Sequence, residues 1–587
     1  MKKLVQPAEL AKASHMRPDD PRLSLFMEVS GLKKLERLYH GAADLQDLAF
    51  VGSIFDQLDL HFEVDPHELE FVPKEGPLVF VANHPYGAID GLALVHLLGA
   101  VRPDLKVMAN FLLQQVEPLK DRFLPVNPFE DLRSRSSFQG VRAAMEHVAA
   151  GRALGIFPAG EVSSWQTELK AVADPRWKAS VVKLIRSVKA PVVPVWFDGA
   201  NSALFQMLGM IHPNLRTLTL PKEMLRMRGR SVRVRMGKPI AAKDIASFTD
   251  VERLGRYLRA KTYALGSGVQ VKREQFRPLR FPSRPKPIVD PVDKDLLRAE
   301  VASMEDLKRS SQGEFDLYLA PSDRMPHMLR EIGRLREITF RAEGEGTNKR
   351  IDLDEYDLYY DHLFLWDRVK EELAGAYRIG DGARIMAQYG KRGFYTHTLF
   401  KMGKAMGRVL SRSFELGRSF VVPEYQRHRL PLFLLWRGLL IHLLNHPDHT
   451  FLIGPVSISS RYSRFSRGLI MEFVRQHHYD HELARHVKPR NRFEVKPEPA
   501  DREALLESAE DLRKLDKIIA DIEPVEQSVP ILLKKYLMLN ARIIGFNSDP
   551  RFNDTLDGLI LLDMTKVPPR TIEDLKRGMN EAIGGVN

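Results

Sequence analysis

The chain has 587 residues, a formal net charge of +12 and no cysteine. A single domain usually holds roughly 100–200 residues, so we expect more than one domain. With 44% hydrophobic and 28% charged residues the composition excludes a disordered chain, and the lack of cysteine excludes disulfides and thiolate zinc sites. The charge favours an acidic partner, such as a membrane surface or an acidic protein, with solvated surface charge as the alternative. Nucleic acid is not expected, because no zinc-finger or RNA-recognition signature is present.

The N-terminus and the most apolar stretch both bear on membrane attachment. Residues 1–22 are charged and contain no apolar core, which argues against a secretion signal. No run of about 18 apolar residues is present, so we expect no membrane-spanning helix. The most apolar stretch, 431–444, contains Arg437 and His442 and predicts a buried helix.

A proline- and arginine-rich segment separates the chain into two parts. Residues 273–292 have neither helical nor strand periodicity, and their closely spaced prolines favour an extended linker. On both sides of it, short apolar runs alternate with longer amphipathic ones, as in α/β domains. We therefore predict two α/β domains, over residues 1–289 and 290–587.

The first domain contains a strand that leads into a histidine and an aspartate. Residues 77–82 are apolar and predict a buried strand, followed directly by the sequence NHPYGAIDG at residues 83–91. An apolar, helix-like stretch comes next, so we expect His84 and Asp90 at a strand–helix junction where polar groups can face a ligand. A histidine oriented by an aspartate is suited to act as a general base, because the carboxylate sets the tautomer and stabilises the imidazolium. A helix N-terminal cap is the alternative role for Asp90.

Three later segments also consist of a strand-like apolar run followed by polar residues. Residues 154–164 contain the sequence FPAGE at 157–161, and Gly160 permits close approach of a phosphate or carbonyl group. Residues 190–202 predict a further buried strand. The sequence GKPI at 237–240 follows a strand-like run.

The order and spacing of these segments resemble the haemolysin-like branch of the glycerolipid acyltransferase family over residues 40–245. Two departures from the commonest family pattern are the five residues between His84 and Asp90 and the alanine at position 159. The resemblance implies that His84 is the base and that Asp90 orients it. It also implies a set of substrate-binding residues, namely Asn83, Gly91, Phe157, Pro158, Gly160 and Glu161.

The chemistry expected of this domain is the transfer of an acyl group to a hydroxyl. A histidine base can take the hydroxyl proton during attack on an acyl thioester, which accelerates the step by about 10²–10⁴-fold. No Gly-x-Ser-x-Gly nucleophile elbow is present, and this disfavours a serine hydrolase.

In the second domain, a predicted strand is followed by a basic loop and an apolar helix. Residues 418–422 predict the strand, and residues 424–429 form the loop. A loop at a helix N-terminus can bind anions through its free N–H groups. We expect an acyl donor with a pantetheine phosphate to bind here, and the alternative is a solvated basic loop. The predicted donor-binding residues are Val422, Gln426, Arg427, His428 and Arg429.

The second domain resembles the ornithine acyl-carrier N-acyltransferase family, a member of the GNAT superfamily, over residues 315–565. The segments that carry the resemblance are 335–346, 357–366, 374–378, 415–440, 450–460 and 529–554. The usual GNAT loop contains glycines, whereas residues 426–430 contain none, and this favours a bulkier carrier-bound donor over acetyl-CoA.

The acceptor of the second domain is expected to be an amine. An α-amino group with a pKa near 7.7–8 is partly neutral at pH 7–8, so positioning matters more than a strong base. Glu343 and Glu345 are candidates for binding or deprotonating the ammonium group. We choose Glu343 as the catalytic residue and expect Glu345 to be a surface carboxylate.

Together the two resemblances imply a bifunctional aminolipid synthase. The C-terminal domain would N-acylate an amino acid, with ornithine favoured, from a 3-hydroxyacyl thioester, and the N-terminal domain would then acylate the 3-hydroxyl. We expect acyl carrier protein or coenzyme A to carry the acyl group, no tightly bound cofactor and no metal. Expected partners are acyl carrier protein, the amino acid, the lyso-aminolipid and the inner face of the cytoplasmic membrane. The alternatives are a lysophospholipid acyltransferase with a GNAT-like domain of other or no activity, and a non-catalytic scaffold.

Overall fold

The structure is a computed structural model that describes residues 31–110, 116–126, 135–211, 213–267, 285–495, 501–523, 527–552, 554–569 and 573. It divides into two compact units. The first contains the described residues of Met1–Gln270 and Lys496–Glu526, and the second those of Val271–Val495 and Gln527–Asn587. The described residues 501–523 thus join the first unit, although the sequence interpretation included them in the second domain. The predicted linker lies outside the described residues up to position 284.

The first unit is a mixed sheet with helices on both faces. Its strands are β1 (His61–Val64), β2 (Leu78–Ala82), β3 (Lys106–Asn110), β4 (Phe123–Val126), β5 (Ala153–Ile156), β6 (Ser164–Gln166), β7 (Ala171–Ala173), β8 (Val192–Phe197) and β9 (Ser231–Met236). Among the described residues, β6 and β7 form a hairpin and the other strands form one sheet of order β1-β9-β8-β2-β5-β3-β4. Its helices are α1 (Leu32–Gly41), α2 (Asp47–Gln57), α3 (Pro66–Glu70), α4 (Ala88–Gly99), α5 (Arg135–Ala149), α6 (Ala179–Ser187), α7 (Ala203–Ile211), α8 (Pro213–Arg226), α9 (Ala242–Ala246) and α10 (Val251–Ser267).

The central strand of this sheet is β2, and it directs the chain toward the predicted histidine. Every residue of β2 is buried, because helices cover both faces of a largely parallel sheet. It runs parallel to β5 on one side and to β8 on the other. The carboxyl ends of these three strands therefore lie at one edge of the sheet, the usual position of sites in α/β folds.

The second unit contains a longer and mainly antiparallel sheet. Its strands are β10 (Lys308–Gln312), β11 (Phe315–Pro321), β12 (Asp361–Asp367), β13 (Glu372–Asp381), β14 (Phe400–Met402), β15 (Ser413–Val421), β16 (Phe451–Ile458), β17 (Val487–Pro489), β18 (Arg542–Asp549) and β19 (Thr555–Asp563). Its sheet has the order β10-β11-β12-β13-β15-β16-β19-β18 in the described part of the chain, and β14 pairs with β17. The remaining helices are α11 (Lys294–Ala302), α12 (Pro326–Ala342), α13 (Gly382–Tyr389), α14 (Met406–Leu410), α15 (Arg429–Leu444), α16 (Arg464–His477), α17 (His481–Ala484), α18 (Arg502–Leu506), α19 (Leu512–Ile522) and α20 (Ile531–Met538), of which α18 and α19 belong to the first unit.

The neighbouring strands β15 and β16 of this sheet are parallel, and they diverge along their length. β15 and β16 pair in parallel at Ser413–Glu415 and Phe451–Ile453, and no pairing between them continues beyond these described residues. The later halves of both strands line a cavity. The chain between them forms α15, which matches the predicted helix at 431–444 and buries Leu435, Leu439 and other apolar residues.

The described helices include none that combines the length and the apolar composition needed to cross a membrane.

Candidate active sites

The first site lies where β2 ends and α4 begins. The Nδ1 atom of His84 is 2.9 Å from Oδ2 of Asp90. The same carboxylate oxygen accepts hydrogen bonds from the backbone N–H groups of Tyr86 at 2.9 Å and Gly87 at 3.0 Å. Gly87 has a φ of 85°, a left-handed conformation that a glycine adopts without steric cost. The Asp90 carboxylate thus contacts both the N–H groups at the start of α4 and the imidazole of His84.

The environment of His84 suits a proton acceptor that remains accessible. Asp90 is fully buried, and although the hydrogen bond from His84 favours its charged form, burial raises the pKa of this carboxyl. The His84 side chain keeps 18% of its surface exposed and stacks on the ring of Phe157, with centroids 4.2 Å apart. Because Asp90 engages Nδ1, Nε2 is the ring nitrogen left for a substrate hydroxyl.

A second aspartate, Asp174, supports the His84 loop, and the sequence analysis did not identify it. The backbone N–H of His84 donates to its Oδ1 at 3.1 Å, and the Ser163 hydroxyl donates to the same oxygen at 2.6 Å. The indole of Trp177 donates to Oδ2 at 3.1 Å. Asp174 lies 90 positions from His84 in the chain, so no local spacing could indicate this contact.

Two predicted substrate-binding residues sit in or beneath the loop. The Asn83 side-chain amide donates to the backbone carbonyl of Phe197 at 2.9 Å, and its oxygen accepts the Phe197 N–H at 2.7 Å. Asn83 therefore joins β2 to β8. Gly91 lies in α4, where an added Cβ would be 3.9 Å from Phe123 and 4.0 Å from Phe157.

The other predicted substrate-binding residues follow β5. Pro158 is buried, and its carbonyl accepts the backbone N–H of Lys178 at 3.0 Å. Gly160 has a φ of 69°, and an added Cβ would lie 2.9 Å from the Lys178 Nζ. Glu161 is exposed. The left-handed backbone at position 160 favours glycine, and the flexible Lys178 side chain lies beside it.

The second site is the cavity of about 530 Å³ where β15 and β16 diverge. Gly454 of β16 lies at the point of closest approach, since an added Cβ would be 2.3 Å from the carbonyl oxygen of Leu416. Further along, Arg418 to Val421 of β15 and Gly454 to Ser457 of β16 form opposite walls of the cavity. A slot between two diverging strands can hold an extended thioester arm.

Arg418 stands in the wall of this cavity at an irregular point of β15. Its φ is 51°, and the pairing of β15 with β13 shifts register beside it. Its guanidinium lies 3.4 Å from Asp352 and 3.8 Å from Asp354, and it packs over the rings of Tyr395 and Phe552. The sequence analysis predicted a strand from 418 to 422, whereas β15 spans Ser413–Val421, and it assigned no role to this arginine.

The two candidate glutamates both line the cavity but differ in environment. Burial, together with the nearby Glu343 carboxylate, raises the pKa of Glu345 to about 7. Glu343 is exposed, and its carboxylate lies 3.2 Å from Arg461. Glu345 is half-buried in the cavity wall, a less exposed position than the sequence analysis expected, because the chain turns back after α12.

Two further carboxylates, which the sequence analysis also missed, line the same cavity. Asp549 ends β18, and Asp557 lies on the neighbouring strand β19. Burial and the Asp549 charge raise the pKa of Asp557 well above its usual range, while the Ser457 hydroxyl donates to it at 3.0 Å. Glu345 also raises this pKa, so the three acids are electrostatic neighbours.

The structure separates the five predicted donor-binding residues. Gln426 lines the cavity, and its amide donates to the Val421 carbonyl at 2.9 Å. Val422 is buried and donates its N–H to Ala374, so Val421 is the valine in the cavity wall. The remaining three are basic residues of the helix start: Arg427 and His428 are exposed and Arg429 is the first residue of α15.

Comparison with known protein families finds one match in each half of the chain. Residues 38–271 match the family described as Acyltransferase, and residues 335–436 match the Acetyltransferase (GNAT) domain. Both resemblances inferred from the sequence, and the two-domain α/β fold class, are confirmed by these matches.

Three proteins with similar sequences illustrate the relationship. A glycine N(alpha)-acyltransferase of Bacteroides thetaiotaomicron is 32% identical over 48% of this chain and 86% of its own length. A lyso-glycine lipid O-acyltransferase of Phocaeicola vulgatus is 32% identical over 32% of this chain and 68% of its length. An L-ornithine N(alpha)-acyltransferase of Rhizobium meliloti is 28% identical over 40% of this chain and 74% of its length. The chain therefore belongs to the acyltransferases, with an acyltransferase domain followed by a GNAT domain.

Proposed function

We propose that this protein makes a diacylated aminolipid in two steps, each at its own site. The GNAT domain transfers a 3-hydroxyacyl group to the α-amino group of an amino acid, and the acyltransferase domain then acylates the 3-hydroxyl. The observation that carries the proposal is the presence, in one chain, of a His84–Asp90 pair and of a separate cavity lined by a half-buried glutamate and an arginine. Relatives named for N-acylation and for lyso-lipid O-acylation support the same division.

The first step requires a neutral amine. The α-ammonium group of an amino acid has a pKa of about 7.7–8, and the Glu345 carboxylate, with its pKa raised to about 7, is matched to accept that proton. The amine nitrogen then attacks the thioester carbonyl, a C–N bond forms and the C–S bond breaks, and a second proton from the nitrogen passes to the departing thiolate, which leaves as the thiol. We accordingly assign the base to Glu345 and a supporting electrostatic role to Glu343.

The amino acid is proposed to bind with its carboxylate toward Arg418. The Arg418 Nε makes no hydrogen bond within the described residues, and its ion pairs at 3.4 Å and 3.8 Å leave donors for a ligand. Asp549 and Asp557 place two more carboxyl groups in the cavity than one α-ammonium group requires, and a second ammonium group bound there would favour the charged form of Asp557. This surplus supports a diamino acid such as ornithine as the acceptor, and glycine, the acceptor named in two relatives, is the second candidate.

The second step uses His84 as the base. Its free Nε2 takes the proton of the 3-hydroxyl as that oxygen attacks the second acyl thioester. A C–O bond forms, the C–S bond breaks, and the imidazolium returns the proton to the leaving thiolate. Asp90 holds the ring and stabilises the imidazolium during this exchange.

The proposal also names the molecule that carries the acyl group to the enzyme. Acyl carrier protein is the proposed donor, since the loop at 426–430 contains no glycine, and acyl-CoA is its alternative.

The exposed apolar side chains of Trp165, Leu204 and Met207 support peripheral contact of the first unit with the inner face of the cytoplasmic membrane. The backbone N–H of Trp165 binds the Gln206 side chain, which ties this hairpin to α7 near the His84 loop.

Lipid mass spectrometry of a host that lacks aminolipids and expresses this chain tests the function. A diacylated ornithine lipid is the expected product, and a diacylated glycine lipid would keep the two-step function with the second acceptor. Changes confined to phospholipid acyl chains would overturn the proposal in favour of a lysophospholipid acyltransferase. The His84→Ala variant serves as the internal control, because it is expected to stop at the monoacylated product.

A further inference from the structure

Two helices from late in the sequence belong to the first unit. α18 and α19 fall between β17 and β18 in the chain, yet they pack against α10. The inward face of α19 is apolar and repeats with helical spacing, as expected for a helix that covers a core. Its buried residues are Leu515, Ile518, Ile519 and Ile522. Residues 501–523, here called the late segment, therefore pack against α10 as part of the first unit.

Ion pairs reinforce this packing along α10. Lys261 lies 2.6 Å from Asp521, with only 3% and 10% of their side chains exposed. One turn earlier, Arg256 pairs with Glu507, and Arg253 lies 3.4 Å from the same carboxylate. A buried pair is costly to break from one side, because the remaining charge is left in a medium of low polarity.

The other side of α10 contacts the support of the catalytic histidine. Arg259 donates to the backbone carbonyl of Asp174 at 2.8 Å, and the Asp174 N–H donates to the Tyr263 hydroxyl at 2.6 Å. The Asp174 carboxylate in turn accepts the N–H of His84 at 3.1 Å. One helix thus receives the late segment on one side and holds the His84 loop through Asp174 on the other.

We propose that the late segment positions His84, so that residues from the second half of the sequence complete the O-acyltransfer site. Asp521 acts through Lys261 and α10, and it is a positioning residue without contact to the reacting atoms. The enzymatic part of the test rests on the proposed O-acyltransfer function.

The test compares variants of the full-length protein. Asp521→Ala leaves the Lys261 cation buried without its partner, so the kcat of O-acylation is expected to fall at least tenfold while its KM and the N-acylation rate stay within twofold. The double variant Lys261→Met/Asp521→Leu replaces the pair with apolar side chains and is expected to restore kcat to within threefold. Lys514→Ala is the matched control, because Lys514 lies on α19 but forms an exposed pair with Glu510. Unchanged O-acylation in Asp521→Ala, or an equal loss of both activities, would overturn the proposal.

A second measurement does not depend on substrate. Amide hydrogen exchange of residues 83–90 and 251–267 is expected to accelerate in Asp521→Ala and to stay unchanged in Lys514→Ala. Unchanged exchange in both variants would overturn the positioning role even in a protein without measurable O-acylation. Absence of O-acylation in the wild type, with the expected exchange pattern, would count against the proposed function and leave the positioning role supported.

Discussion

Glu343 and Glu345 are separated by one glycine, yet Glu343 is exposed beside Arg461, whereas burial raises the pKa of the Glu345 carboxyl to about 7. The glycine between them, Gly344, has a φ of 75°, and this left-handed conformation turns the chain after α12. Glu343 then faces Arg461 at the surface, while burial favours the neutral form of Glu345. The two residues therefore differ in the function that they can perform.

N-acylation is expected to increase with pH through about 7. Below that pH the Glu345 carboxyl is protonated and cannot accept the ammonium proton, and above it the carboxylate is available. Glu345→Gln should lower kcat by about 10²-fold, the lower end of general-base effects, and move the rising limb up to about pH 8, where the substrate ammonium group loses its proton. The measurement is the kcat of N-acylation between pH 5.5 and 9, with Glu343→Gln as the matched control. Retention of the same pH limb in Glu345→Gln would exclude it as the base.

His84→Ala is expected to abolish O-acylation and to leave N-acylation intact. Removal of a general base costs about 10²–10⁴-fold in rate, so the monoacylated lipid should accumulate. Liquid chromatography with mass spectrometry of the purified enzyme's products measures both species. His61→Ala, an exposed histidine of the same unit, should behave as the wild type. Loss of both activities in a folded His84→Ala protein would contradict the two-site assignment.

Asp557→Asn is expected to change the choice of amino acid. If Asp557 binds a second ammonium group, the KM for ornithine should rise by about 10-fold, since a hydrogen bond to a charged group contributes roughly 1.5–3 kcal/mol. Glycine has no second ammonium group, so its KM should change by less than twofold. Steady-state N-acylation with each amino acid measures the ratio, and an equal change for both would rule out this role.

Gly454→Ala is expected to destabilise the GNAT domain. The new Cβ would lie 2.3 Å from the Leu416 carbonyl oxygen, which forces β15 and β16 apart where they are still close. Overpacking of this kind lowers the free energy of unfolding by about 1–3 kcal/mol. Gly417→Ala on the facing strand is the control, because nothing lies within 4 Å of its added Cβ. The free energy of unfolding of both variants is measured by urea denaturation, and the local stability of β15 and β16 by amide hydrogen exchange. Equal stability of Gly454→Ala and Gly417→Ala would contradict the close approach of the two strands.

Local sequence was sufficient to predict that His84 and Asp90 meet after a buried strand. The apolar run at 77–82 produced the buried strand β2, and the next residues brought His84 and Asp90 together, because six positions with a glycine turn allow the carboxylate to reach the imidazole. The GNAT match likewise rests on segments that are close in sequence. Both families could therefore be inferred from contiguous residues.

The sequence by itself determined the two acyltransferase halves, the His84–Asp90 pair and the strands that position it. Only the tertiary structure decided that Asp174 supports His84, that Glu345 is half-buried whereas Glu343 is exposed, and that residues 501–523 belong to the first unit. The physical reason is that burial and long-range packing set these environments. The side chains that surround each of these residues come from distant parts of the chain, and the local sequence pattern does not indicate which of them will be in contact.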